Sequence, residues 1–177
     1  MILLKVSGFI DRINERIGVA VGWLVLAAAV IGAGNATYRY IFHNSSNGWL
    51  EIQWYLFSAT FLLCAPYTLM RNEHVRIDVV TSRFSARTRA GIDIFGTIFF
   101  LFPMALLILY MSIPMVQDSY LRHEVSSNAG GLLRWPVKIL IPIGFILLIL
   151  QGVSELIKRV AFLKGLIPDP AEKKQQH

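Results

Sequence analysis

This chain has almost no cysteine, and over long stretches it has no charge. The single cysteine, Cys64, rules out an intrachain disulfide and a metal cluster, and reads as a small apolar packing residue. No Asp, Glu, Lys or Arg occurs from Ile17 to Tyr38, Ile52 to Met70, Ile94 to Gln117 or Ile139 to Ser154. Ionisable groups are kept at membrane depth mainly to bind an ion, a proton or a substrate, so their absence argues against a self-sufficient proton-coupled exporter. The four histidines, His43, His74, His123 and His177, all lie outside those runs, which argues against a bundle holding haem through axial ligands. An HExxH motif, a nucleophile elbow, a phosphate-binding glycine loop and paired carboxylates are missing as well. The sequence therefore implies no catalytic residue, metal or cofactor, and places any chemistry in a partner.

What is present is apolar length. Crossing ~30 Å of hydrocarbon at ~1.5 Å per residue takes roughly 20 apolar residues. The runs count 22, 19, 24 and 16 residues. The fourth reaches span length when Trp135 and Lys138 sit in one headgroup layer, with Lys158 and Arg159 in the other. The expected fold class is an all-α integral membrane protein with four transmembrane helices. One membrane domain covers residues 1–160, with spans near 17–38, 52–70, 94–117 and 136–157, followed by a tail at 161–177.

The net charge of +6 is unevenly placed. Thirteen Lys and Arg fall before Ile17, between the second and third runs, and after Ser154, against four in the other two connections. Positive charge gathers in cytoplasmic segments, so both termini and the middle connection are expected inside. The basic balance is thus a topology signal and does not point to nucleic acid. Retention of the first run as a span is expected, because it is too long and its flank too acidic for a cleaved signal.

Two segments read as membrane-surface helices. Ile2, Val6, Phe9, Ile10, Ile13 and Ile17 recur at helical spacing, which suits an amphipathic helix over 2–16 or a plain extension of the first span. Between the second and third runs, Arg71, Arg76, Arg83, Arg87 and Arg89 alternate with Val75, Ile77, Val79, Val80, Phe84 and Ile92. That pattern suits a helix over about 76–90 lying on anionic lipid, with Val80, Arg83, Phe84 and Arg87 at its surface. Gly18 and Gly22, and Ala28, Gly32 and Ala36, permit close helix approach, within the chain or to another protein. Asn35 is expected to bond across to another helix.

Two places could hold partner-contact or structural residues. His74 and Asp78 share a helical face, with Arg76 between them and Arg71 just upstream. Glu51 precedes the second run, flanked by Trp49 and Trp54, and could cap the helix or meet a partner protein. Asn128 and Trp135 of the second outer loop complete the candidates.

The order Trp49, Glu51, Trp54, Tyr55, then Tyr67 to Arg71, His74-Val75-Arg76-Ile77-Asp78-Val79, and Pro142-Ile143-Gly144-Phe145 followed by Gln151 resembles the small membrane subunit (DctQ-like) of tripartite ATP-independent periplasmic (TRAP) transporters. Many relatives carry two adjacent acids where this chain has Glu51 before Ile52. The resemblance implies a bacterial inner-membrane subunit that scaffolds a large elevator-type membrane subunit. A periplasmic binding protein would deliver an organic acid, and a sodium gradient would drive uptake. The stretch from Ser126 to Pro136 resembles the branch associated with 2-oxo acids and related carboxylates. The competing reading is a membrane anchor subunit of a respiratory or other membrane enzyme complex.

Overall fold

The computed structural model describes residues 2–43, 46–71, 84–128 and 130–168. The described residues are helical, apart from connections and one isolated bridge between Val125 and Leu133. Helix α1 is Ile2–Phe42, α2 is Asn47–Arg71, α3 is Ala86–Leu121 and α4 is Trp135–Leu163. Helices α1, α3 and α4 are long and apolar enough to cross a membrane. Helix α2, at 25 residues, is long enough, but Gln53, Ser58, Thr60, Tyr67 and Thr68 make it more polar.

Residues 2–16 are continuous with the first apolar run in one helix of 41 residues. At ~1.5 Å per residue α1 is roughly 60 Å long, about twice the hydrocarbon thickness. Ser7, Ile10, Asn14, Gly18 and Val21 form its buried stripe, while Ile2, Val6, Phe9 and Ile13 stay exposed. The buried stripe thus mixes polar and apolar groups, and large apolar side chains stay outside beside the exposed Lys5, Arg12, Glu15 and Arg16.

The expected inner-surface helix falls only partly among the described residues. Residues 76–83 lie outside them, and from Ala86 the chain belongs to α3. Ser85 caps that helix through its side chain, which accepts from the Thr88 N–H. Proline shapes α3 further along. Pro103 has no N–H and its ring crowds the Phe99 carbonyl, and one turn earlier the ladder widens into a π-turn over Thr97–Leu101. There the Phe102 N–H donates to the Thr97 carbonyl.

Helices α1, α2 and α4 pack against one another, and α4 also meets α3. Two glycines allow the closest approaches. A Cβ on Gly18 would strike the Tyr67 ring of α2, and one on Gly144 of α4 would strike the backbone of Leu62. The side chain of Gln53 leans on Gly32 and donates to the Ala28 carbonyl at 3.2 Å. These small residues of the first apolar run therefore pack within the chain. The expected cross-helix bond of Asn35 is not found for its Oδ1, which is buried with no partner among the described residues.

Candidate functional site

Polar chemistry concentrates at the two ends of the bundle. One end is built from the start of α2 and the loop between α3 and α4. Glu51 is buried there at 2% exposure, and its two carboxylate oxygens hold the loop. Oε1 accepts from Asn128 Nδ2 at 2.9 Å, and Oε2 accepts from the Leu132 N–H at 2.7 Å. One turn along, the Tyr55 hydroxyl donates to the Leu133 carbonyl at 2.8 Å.

The same loop is closed on itself. The Ser126 N–H donates to the Leu132 carbonyl, the Arg134 N–H donates to the Glu124 carbonyl, and Lys138 pairs with the Glu124 carboxylate. That hydrogen bond from Lys138, with the nearby positive charges of Lys138 and Arg134, holds the Glu124 carboxyl below the usual carboxylate range. Trp135 meets Tyr120 edge-on, with ring centroids 5.5 Å apart.

The other end joins the beginning of α1 to the end of α4. Ser7 and Ser154 share a hydroxyl hydrogen bond of 2.7 Å. Asn14 donates to Gln151 Oε1 at 2.7 Å, and Gln151 Nε2 donates to Asp11 at 2.8 Å. Lys158 lies between two acids, 2.9 Å from Asp11 and 2.6 Å from Glu155. Arg159 pairs with Asp93 of α3 at 3.0 Å, so a third helix is tied to this end. Charges this poorly hydrated need such partners, because an unpaired one would cost several kcal/mol, roughly 3–5. The ion pairs keep these groups tolerable at low net energy and fix which residues face one another.

The residues singled out from sequence separate accordingly. Glu51 and Asn128 are brought together, and the contact is within the chain. Trp49 and Trp54 flank Glu51 with half or more of their surface exposed. Arg71 stands apart from them, paired with Glu15 at 3.0 Å and lying over the Tyr67 ring at 5.4 Å. Phe84 and Arg87 are exposed near the start of α3. His74, Arg76, Asp78, Val80 and Arg83 lie outside the described residues.

Sequence reasoning missed the Asp11, Asn14, Gln151, Glu155 and Lys158 cluster. A signal existed. Ser7, Asp11, Asn14 and Gly18 form a polar and small stripe at helical spacing, and Gln151, Ser154, Glu155 and Lys158 form another. Over 2–16 the apolar periodicity is the stronger pattern and masks this one.

In chemical terms both clusters join helices. Each carboxylate described is engaged by donors of the same chain, and among the described residues no group of three or more His, Cys, Asp or Glu could hold a metal ion. The fold and its polar ends define a helical membrane protein whose ionisable groups tie the helices together. Residues 28–162 match the family described as Tripartite ATP-independent periplasmic transporters, DctQ component. The chain belongs to that family, which is a transporter component and not a catalytic family. No curated protein and no solved structure matches the chain.

Proposed function

We propose that this chain is the small permease subunit of a TRAP transporter, a fixed scaffold for a large elevator-type membrane subunit. In this reading it crosses the bacterial inner membrane four times, with both termini in the cytoplasm. A periplasmic binding protein hands an organic acid, a 2-oxo acid or related carboxylate, to the large subunit, and a sodium gradient drives uptake.

The observation that carries the scaffold role is the placement of the polar groups. They lie at the two ends and are bonded to one another within the chain, while the apolar runs between them offer no charged contact to a carboxylate substrate. A path for an anion would need donors along its length. The pairing of the start of α1 with the end of α4 supports an even number of spans, since it brings both chain ends to one side.

The test is uptake in proteoliposomes holding the complete transporter. Omitting this chain should abolish uptake, and substitutions in it should alter the rate without altering which acid is chosen. A substitution here that switches substrate preference, with the large subunit unchanged, would refute the scaffold role.

The sequence pattern over 76–90, of which 76–83 lie outside the described residues, suits a segment that braces this scaffold against the bilayer. Replacing Val80 and Phe84 with Asp should lower uptake at equal complex assembly, whereas Arg87→Lys, which keeps the charge, should not.

A further inference from the structure

The end of the bundle held by Glu51 contains a second feature that joining the loop does not use. A crevice of about 230 Å³ opens there among Asn128, Arg134 and Lys138. It adjoins an apolar groove of about 520 Å³ between α2 and α4, and Trp54 and Ser58 line both. Along the groove Trp54, Phe57 and Phe61 stand on one face of α2, at 61%, 71% and 76% exposure.

We propose that crevice and groove together bind one glycerophospholipid, its phosphate at Arg134 and Lys138 and an acyl chain along Trp54, Phe57 and Phe61. The inference rests on the membrane reading of α2 and not on the transporter assignment.

Charge favours a phosphate at the mouth. Arg134 and Lys138 both lean on the carboxylate of Glu124, and the contact of Arg134 is a long one of 3.8 Å. The Glu51 carboxylate also lines the crevice, but both of its oxygens are already engaged, by Asn128 and the Leu132 N–H. Guanidinium forks bind phosphate oxygens in pairs, and an ammonium adds a compact second charge.

Depth favours a lipid over a partner helix. Tryptophan concentrates at headgroup level, so Trp54 sets the cations at the height of a lipid phosphate. Phe61 lies seven residues farther along α2, roughly 10 Å deeper, where only an acyl chain or another helix could cover it. A partner helix satisfies its own backbone groups and would bring the cations nothing unless it also carried an acid. A phospholipid supplies the anion and the chain in one molecule.

The full chain, purified from bacterial membranes in mild detergent, should retain one glycerophospholipid by native mass spectrometry. Arg134→Gln should weaken retention about tenfold or more, since a hydrogen bond to a charged group is worth at least that factor. Phe57→Asp, on a residue that lines the groove and not the crevice, should weaken retention from the groove side, which guards against a mere loosening of the Glu124 contacts. Arg122→Gln, on an exposed residue that pairs with Asp118, should leave retention unchanged. Equal retention in all variants, or equal loss in Arg122→Gln, would overturn the proposal. A photo-crosslinking residue at position 61 in whole cells should give an adduct of lipid mass. An adduct with another protein would instead assign the groove to a helix. Lipid retention by a chain that supports no uptake would defeat the transporter reading and leave this one standing.

Discussion

Gln151 is the residue whose loss should reveal most about how the bundle is held. It is fully buried, accepts from Asn14 at 2.7 Å, and donates to Asp11 at 2.8 Å and to Glu155 at 3.3 Å. Gln151→Leu keeps roughly the side-chain volume, so the cavity contribution is small. Asp11 retains Ser154 and Lys158, and Glu155 retains Lys158. Asn14, at 1% exposure, is the group left with a buried donor and no acceptor.

An orphaned donor costs about 1–3 kcal/mol, a factor of roughly 5–150 in the unfolding equilibrium. Interhelical hydrogen bonds in bilayers average only about 0.6 kcal/mol, because the unfolded state in lipid also finds partners. The burial of Asn14 and Gln151 within protein argues for the larger figure. A double-mutant cycle decides between them. Asn14→Leu with Gln151→Leu removes both polar groups and should recover most of the loss, whereas independent residues would give additive losses. The assay is unfolding by SDS in mixed micelles, followed by helicity and checked for a single transition. A Gln151→Leu protein as stable as the wild type, or strict additivity in the cycle, would refute the account.

Gly144→Val should lower the melting temperature in detergent by the equivalent of about 1–3 kcal/mol, because the added Cβ meets the backbone of Leu62, which cannot swing aside. Gly22→Ala, with nothing within 4 Å of its Cβ, should stay near wild type. The Glu124 carboxyl is held below its ordinary 4.5, so its contribution to the loop is complete above that value and lost as pH falls through the folded pKa. Amide protection from Glu124 to Arg134 should therefore be flat above 4.5 and drop as the pH falls below it; in Glu124→Gln this acid step should shrink, the remainder coming from the Glu51 carboxylate that holds the same loop. On a Cys64→Ala background, an impermeant thiol reagent applied to intact cells should label Ser127→Cys and spare Arg83→Cys and Lys173→Cys. The reverse pattern would invert the topology.

The helices were legible because their cause is local. Charge-free runs of span length and a proline or glycine near their ends are properties of neighbouring residues. The resemblance rested on the same kind of information, in stretches such as Trp49 to Tyr55, and the family match covers it. The polar locks were not legible, because Asn14 and Gln151 are 137 positions apart and Glu51 and Leu132 are 81 apart. Glu51 stands out in the sequence for its dipole-favoured position at a helix start. Which loop atoms it would hold depended on how α2 and α4 pack, and that depends on Gly144 meeting Leu62. The exposure of Val6 and Phe9 was also undecidable from one helix, since an apolar stripe faces a core in water and faces lipid in a bilayer.

The two locks also bear on how a scaffold could stay rigid without a core of large apolar side chains. Hydrophobic burial gives little drive between helices in lipid, where the tails are as apolar as leucine. Among the described residues the buried apolar ones are Ala59, Ala90, Ala105 and Ala161 with only Ile10, Val21 and Met70 larger, so little side-chain bulk is buried to hold the helices in place. Hydrogen bonds at both ends can hold them, because each fixes one contact between helices and costs energy when broken. Pairing Ser7, Asp11 and Asn14 with Ser154, Lys158 and Gln151 fixes the register of α1 on α4 at one end. Glu51 fixes α2 against the loop that leads into α4 at the other. Helices pinned at both ends resist sliding and tilting, and the apolar flanks remain available to lipid and to a membrane partner. The stiffness would therefore fall when either lock is opened. Loosening both should exceed the sum of the two, since one remaining pin still restrains the register.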